Sequence, residues 1–285
     1  MIAHRSTLSA AEAAAVRRLA AGSPGAADSP PLSEDALLRL GEPGRHLLVL
    51  EQQQVLGYAR LSEDGAGAEA ELVASSPAVA EQLITELVTG RPGLRLWSHG
   101  PQALAGPAAI ARGLKPARTL LQLRAPLTGL DVLHPAAGIE IHPFRPGVDD
   151  EAWLAVNARA FAHHPEQGRW RQHELDQRLS APWFEPAGFF LAWQGSRLVG
   201  YHWTKLHEQG PAQPPLGEVY VLGVDPDAQG LRLGTALLNI GLRHLFDRGA
   251  RTALLYVEAD NQTAVHLYEK AGFSEFSRDV QFSAE

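Results

Sequence analysis

The stretch 217–235, GEVYVLGVDPDAQGLRLGT, decides how this chain is read. An apolar run, 219–224, stops at Asp225-Pro226; a Gly-containing turn follows, and a helix is predicted to open at about Leu233. Strand, turn and helix N-terminus in that order build an anion site, because unpaired amides and the positive helix end face one way. Gln229, Gly230, Leu231, Arg232, Leu233, Gly234 and Thr235 are the residues whose amides would face a pyrophosphate. A short Gly motif also occurs in ordinary βα turns, so the turn alone leaves both readings open. Alternation along GEVYVLGV puts Glu218, Tyr220 and Leu222 on one strand face.

The flanks separate the two readings. A second strand, ALLYVEADN (253–261), follows the helix, and then comes another helix, QTAVHLYEKAGF (262–273). The order VxP, Q-x-x-x-x-G, then N-x-x-A-x-x-x-Y-x-x-x-G-F resembles the GCN5-related N-acetyltransferase (GNAT) superfamily. Val224, Pro226, Gln229, Gly234, Asn261, Ala264, Tyr268, Gly272 and Phe273 carry the resemblance. It departs in one place: Arg232 stands at the first Gly position of the family's Q/R-x-x-G-x-G/A loop, and Gly230 lies two residues earlier.

Composition bounds the alternatives. A chain of 285 residues suits two domains, and 45% hydrophobic with 20% charged residues is a globular balance. Cysteine is absent, which excludes disulfides, Cys-zinc sites and thiol nucleophiles and fits a reducing, cytoplasmic setting. STLSAAEAAAVRRLAAG (6–22) reads as an amphipathic helix capped by Ser9, because Glu12, Arg17 and Arg18 interrupt its apolar character. No window reaches the ~20 apolar residues of a membrane span. A net charge of -7, with lysine only at Lys115, Lys205 and Lys270, argues against a nucleic-acid partner. We read the chain as a monomer.

The two halves repeat. HLLVLEQQQVLGYARL (46–61) parallels FFLAWQGSRLVGYHWTKL (189–206), with Gly57 answering Gly200. AEAELVA then parallels GEVYVLGV, LRLWSHG parallels ALLYVEADN, and the closing helices end in Ala-Arg-Gly-Leu and Lys-Ala-Gly-Phe. A shared order of elements points to duplication. The expected fold is α/β: two tandem GNAT-type domains, each a mixed central sheet flanked by helices. The boundaries are 1–124, a Pro/Gly-rich linker 125–138 and 139–285. After AELVA the first half continues SSPAVAEQLITEL without spaced glycines, and Pro77 and Ala78 sit where a phosphate needs open amides. Its CoA site is read as degenerate, leaving it either a wall of the other half's substrate cleft or a stabilising lobe.

A narrower resemblance runs along nearly the whole chain. NARAFAHHPEQG (157–168), PWFEPAGFFLAW (182–193), GYHWTK (200–205), GEVYVLGVDPDAQ (217–229) and LLYVEADN (254–261) are similar to signatures of the mycothiol synthase family, tandem acetyltransferases of actinobacteria. The resemblance implies acetyl transfer from acetyl-CoA to the cysteinyl amine of cysteinyl-glucosaminyl-inositol, with acetyl-CoA as co-substrate and no metal. Glu218 lies in an otherwise apolar strand, where burial strengthens a carboxylate as a base; the other reading is a solvated carboxylate at a strand entrance. Tyr268, one turn beyond Ala264, is either a packing residue or, in the family frame, the acid for the leaving thiolate. The resemblance also implies that Leu222, Gly223 and Val224 face the thioester and pantetheine arm, and that Asn261, Gln262, Thr263, Ala264, Val265 and His266 close over it.

The family's acceptor residues match Glu34, Glu166, Lys205, Glu218 and Tyr256, which places the acceptor between the halves. Glu34 equally reads as a helix N-terminus capped by Ser33, and Lys205 as a solvated strand-end cation. His163 and His164, adjacent on one loop, are poorly placed to chelate one ion. Two rivals stand beside this reading: a GNAT enzyme acting on another amine or a protein N-terminus, and an acetyl-CoA-binding module without catalysis.

Overall fold

A computed structural model of the chain describes residues 1–64, 67–129, 136–163, 167–209 and 213–283. The elements follow the duplicated order. The first copy runs β1 (Ile2–Arg5), α1 (Ala10–Ala21), α2 (Glu34–Leu38), β2 (Arg45–Glu51), β3 (Gln54–Asp64), β4 (Gly67–Ala74), α3 (Pro77–Val88), β5 (Arg95–His99), α4 (Ala105–Ala111) and β6 (Lys115–Pro126). The second runs β7 (Ile139–Pro143), α5 (Asp150–Ala160), α6 (Gln172–Leu179), β8 (Phe189–Gln194), β9 (Arg197–His207), β10 (Leu216–Val224), α7 (Leu233–Asp247), β11 (Thr252–Glu258), α8 (Gln262–Lys270) and β12 (Ser274–Ser283). Each copy is β-α-α-β-β-β-α-β-α-β.

Local sequence explains where the helices start. Ser9 accepts the Glu12 amide and Glu12 reaches back to the Ser9 amide, so a complete capping box opens α1. Leu233 opens α7, as the end of the apolar strand and the Gly-containing turn imply.

Two compact units form. One holds Met1–Gln122, Glu258–Asn261 and Glu275–Glu285; the other holds Leu123–Val257 and Gln262–Ser274. This division departs from the sequence boundaries in its last strand. β12 closes the second copy in chain order, yet it pairs antiparallel with β5, from Asp279↔His99 to Ser283↔Arg95, and counts with the first unit. Partly buried ionic contacts reinforce that pairing: His99 Nδ1 lies 2.9 Å from Asp279 Oδ2 and His99 Nε2 lies 3.3 Å from Glu71 Oε2. The expected linker also begins later than 125, because β6 continues to Pro126 and Leu127 donates its amide to the Arg251 carbonyl.

In the first unit β1, β2, β3 and β4 pair antiparallel and β4 pairs parallel with β5. One sheet face packs α3 through Leu83, Ile84 and Leu87; the other packs α1 through Val16 and Ala20. The second unit repeats this, with β7 to β10 antiparallel and β10 parallel to β11. There α7 covers one face through Leu233 and Leu237, while α5 and α6 cover the other through Trp153, Val156 and Leu175. That second layer is aromatic-rich: Phe189 and Trp203 stack with centroids 4.4 Å apart, and Trp153 meets both edge-on. The matched glycines have one physical role. A Cβ on Gly57 would lie 2.4 Å from Val79 of α3, and one on Gly200 would lie 3.1 Å from Leu233 and Leu237 of α7. Both let a crossover helix sit down on its sheet.

Candidate active site

The site of the second unit grows from an interruption in its sheet. β10 and β11 share a ladder only through Leu216↔Thr252, Gly217↔Ala253 and Glu218↔Leu254. Past Glu218 the two strands part, while β10 stays paired with β9 as far as Val224↔Gly200. The β11-facing backbone groups around Leu222, Gly223 and Val224 are therefore an open edge inside a sheet, able to take an extended amide-bearing arm as an added strand. Glu218 stands at the point of divergence.

A β-bulge between Val219 and Val221 changes which side chains share a face. Glu218 lies opposite Lys205 and Val221 opposite Trp203, and those four residues point to one side. Tyr220 joins them, its ring 4.9 Å from Trp183 and 5.3 Å from Trp203. Leu222 does not. It lies opposite His202 and packs with Val224, Leu233 and Leu237 under α7. The expected face of Glu218, Tyr220 and Leu222 is corrected by that one extra residue.

Glu218 is 8% exposed, and its Oε2 lies 2.6 Å from His207 Nε2. Lys205 is buried, so the reading of it as a solvated strand-end cation fails. Its Nζ sits 4.6 Å from the Trp183 ring centre and 5.5 Å from that of Tyr220, a cation held on aromatic faces. Arg178 stacks on Trp170 at 3.8 Å and donates from Nε to the Tyr220 hydroxyl at 3.0 Å, which fixes that ring. Tyr256, half-exposed, follows Leu254 by two residues and so shares its side of β11.

The loop between β10 and α7 is anchored by ion pairs and left open at its tip. Asp225 accepts from Arg159 Nε and Nη2 and from Arg197 Nη2, each at 3.0 Å. The Arg159 guanidinium, opposed by burial and helped by the Asp227 amide and Arg197, lowers the Asp225 carboxyl to about 2. Arg232 is the N-cap of α7 in the left-handed region, φ 56 and ψ 21, with no side-chain cap. It thus takes a left-handed conformation that favours glycine, and Gly230 (φ 86) takes a second. Among the described residues the amides of 230–235 make no backbone hydrogen bond, whereas the Gln229 amide turns back to the Pro226 carbonyl at 3.4 Å. Six of the seven expected amides are thus open, and that of Gln229 is engaged in its own turn. A Cβ on Gly234 would lie 3.6 Å from Leu267 and 3.8 Å from Val224, so the start of α7, the end of β10 and α8 converge here.

The first unit has a similarly short β4–β5 ladder, Glu69↔Arg95 to Glu71↔Trp97, but its helix start is closed. Ser76 accepts the Val79 amide at the start of α3, and Pro77 has no N–H to offer.

Tyr268 lies on α8, 7% exposed, its ring edge-on to Phe273. Burial pushes its phenol well above the usual range, so it stays protonated at neutral pH. Its hydroxyl makes no hydrogen bond among the described residues. Gln262, Thr263, Ala264, Val265 and His266 form the first turn of α8 and the start of its second, with the His266 ring bonded to the Gln262 carbonyl at 2.7 Å. Asn261 counts with the first unit, as does Glu34. Glu34 is the first residue of α2, whose N-cap Ser33 accepts the Ala36 amide, so the capping geometry read as an alternative is present. Glu166 lies outside the described residues, as does His164; His163 is exposed. No group of three or more His, Asp or Glu among the described residues is placed to hold a metal ion, and no described helix is long and apolar enough to cross a membrane.

Sequence reasoning missed His207, two residues past Lys205 on the same strand face, and the aromatic box of Trp183 and Tyr220. The alternation in Trp203-x-Lys205-x-His207 was the available signal.

The acetyltransferase (GNAT) family model matches residues 153–273. In solved structures, the chain is similar to a GCN5-related N-acetyltransferase from Sphaerobacter thermophilus, with TM-score 0.72 and 21% identity over 99% of this chain and 95% of that one. It is also similar to a tandem GNAT protein from the clavulanic acid biosynthesis pathway, with TM-score 0.69 and 19% identity over 100% and 98% of the two chains. Fold and site define an acetyl-CoA-dependent acyltransferase of the GNAT class. Closer in sequence are the mycothiol acetyltransferases of Geodermatophilus obscurus, 50% identical over 88% of this chain and 87% of that protein, and of Catenulispora acidiphila, 42% identical over 95% of each. The chain belongs to the mycothiol acetyltransferase family.

Proposed function

We propose that this protein transfers the acetyl group of acetyl-CoA to the cysteinyl amine of cysteinyl-glucosaminyl-inositol, giving mycothiol and CoA. The observation that carries the site assignment is the parting of β10 from β11 directly after Glu218. The pantetheine arm lies along the open edge at Leu222, Gly223 and Val224, where backbone N–H groups hold the thioester oxygen as it becomes an oxyanion. The pyrophosphate takes the open amides of 230–235 and the N-terminal field of α7. Residues 261–266 close over the arm.

Glu218 removes the proton from the acceptor's ammonium, and the neutral amine attacks the acetyl carbonyl. As the C–N bond forms and the C–S bond breaks, the leaving thiolate takes the proton of the Tyr268 hydroxyl, and the second proton lost by the amine nitrogen restores the phenol. The neutral, buried phenol of Tyr268 and the buried carboxyl group of Glu218 support these two roles. Lys205 and Tyr256, with Glu218, are the acceptor-binding groups of the second unit, and Glu34 and Glu166 complete the proposed set. The absence of cysteine and the thiol product both suit the cytoplasm.

The test is a direct acetyl-transfer assay that offers cysteinyl-glucosaminyl-inositol against a panel of simple amines. A kcat/KM for the pseudo-disaccharide at least about 10²-fold above the best simple amine is expected. Equal rates across the panel would leave a GNAT enzyme of another substrate.

A further inference from the structure

We infer that His207 is the positioning residue of the base: it fixes one oxygen of the Glu218 carboxylate and leaves the second to take the amine's proton. This rests on the reading of Glu218 as the base.

The strand register sets up a conflict. Glu218 and Lys205 are directly opposed cross-strand partners, and both are buried. Opposed residues have Cβ atoms within about 5.5 Å, so a carboxylate and an ammonium there would ordinarily close an ion pair. Such a pair stabilises the ionised carboxylate and makes it a poorer proton acceptor. Among the described residues Glu218 bonds to His207, at 2.6 Å from Oε2, and not to Lys205. The Lys205 ammonium lies instead over the rings of Trp183 and Tyr220. His207 follows Lys205 by two residues on β9 and projects from the same face, which puts the imidazole diagonally across from Glu218.

An ionised carboxylate only accepts, so the imidazole is the donor, through Nε2–H. One oxygen is thereby fixed and the other left for the substrate. The His207 side chain is 34% exposed against 10% for Glu218, so the ring lies at the solvent end of the buried base. Among the described residues the charged and titratable groups on this face are Lys205 and His207 of β9, Glu218 and Tyr220 of β10 and Tyr256 of β11, with Arg178 of α6 on the Tyr220 hydroxyl.

The test uses the full-length enzyme with both substrates. His207→Ala should lower kcat roughly 10- to 100-fold, the scale of a misplaced catalytic group, with little change in the KM for acetyl-CoA. His207→Gln keeps an N–H at a similar reach and should recover most of that loss. In a Glu218→Gln background, adding His207→Ala should change kcat by less than about twofold, because there is then no base left to place. Wild-type kcat in His207→Ala overturns the inference. So does a Gln variant no better than Ala, or a full second loss in the double variant. If Glu218→Gln itself keeps wild-type turnover, the base assignment fails; if Glu218→Gln is slow while His207→Ala is normal, only the positioning role fails.

Discussion

At the scale of single residues, the proposed chemistry rests on two side chains. Glu218 is a carboxylate bonded to one imidazole, and Tyr268 is a phenol kept neutral by burial. Glu218→Gln should slow turnover by roughly 10²–10⁴ near neutral pH, the usual span for general acid–base catalysis, while calorimetric affinity for acetyl-CoA is retained. Tyr268→Phe should lower kcat with the same affinity retained; a variant whose main defect is weak CoA binding would make Tyr268 a packing residue. Both residue types stand in the sequence at telling positions, so the proposal could be framed there. The partner of Glu218 was not legible. A diagonal neighbour on β9 depends on strand register, and register is invisible until the bulge at 219–221 is located.

Elements carry the next layer of meaning. The segment HWTK reads as a signature, but the strand assigns its residues alternately to two layers. His202 and Thr204 face α7 and the Gly188 carbonyl, whereas Trp203 and Lys205 face the aromatic layer and the site. His202 donates from Nδ1 to the Leu237 carbonyl at 2.8 Å, and burial, partly offset by that bond, lowers it to about 4, so it is neutral. The α7 helix fits over this ring only because position 241 has no side chain. A Cβ there would lie 2.1 Å from the imidazole. Gly241→Ala should therefore destabilise the fold by about 1–3 kcal/mol despite alanine's better helix propensity, read as a lower urea midpoint at unchanged slope. An unchanged or higher midpoint would mean that α7 shifts freely on its sheet. The helix start was equally decided by backbone context. Arg232 departs from the family's glycine pattern, yet it takes a left-handed conformation that favours glycine.

For the whole molecule, the last strand is the element whose placement matters most. By chain order β12 closes the second copy; by pairing it belongs beside β5. A fragment spanning 139–285 therefore carries β12 without its partner and lacks Leu123–Pro126 at the start of the second unit. It is expected to be unfolded or aggregated on size-exclusion and circular dichroism; a folded, acetyl-CoA-binding fragment would show that the pairing of β12 with β5 is dispensable. The same junction carries a pH signature. Burial opposes the charge on His99, but hydrogen bonds to Asp279 and Glu71 outweigh it and raise the imidazole to about 10. A histidine raised in the fold contributes stability that is full below its unfolded value of about 6.5 and is lost as pH rises through about 10. Urea unfolding should therefore show stability falling across that window, and His99→Gln should flatten the alkaline limb. A limb unchanged in His99→Gln would assign it to other groups.

By itself the sequence determined the class of fold, the duplication and the acetyltransferase class of the second half. These reside in short-range order: a Gly-containing turn after an apolar strand, a Tyr one helical turn past an Ala, a glycine repeated under each crossover helix. Such features act through neighbours a few residues away, so composition and spacing are enough to read them. Only the tertiary structure decided the rest. The bulge sent Leu222 to one face and left Glu218 and Lys205 opposed on the other; the β10–β11 ladder stopped at Glu218; and β12 paired with β5. Each is a long-range backbone pairing, and one residue of register reverses every side chain that follows it, which a linear pattern does not record.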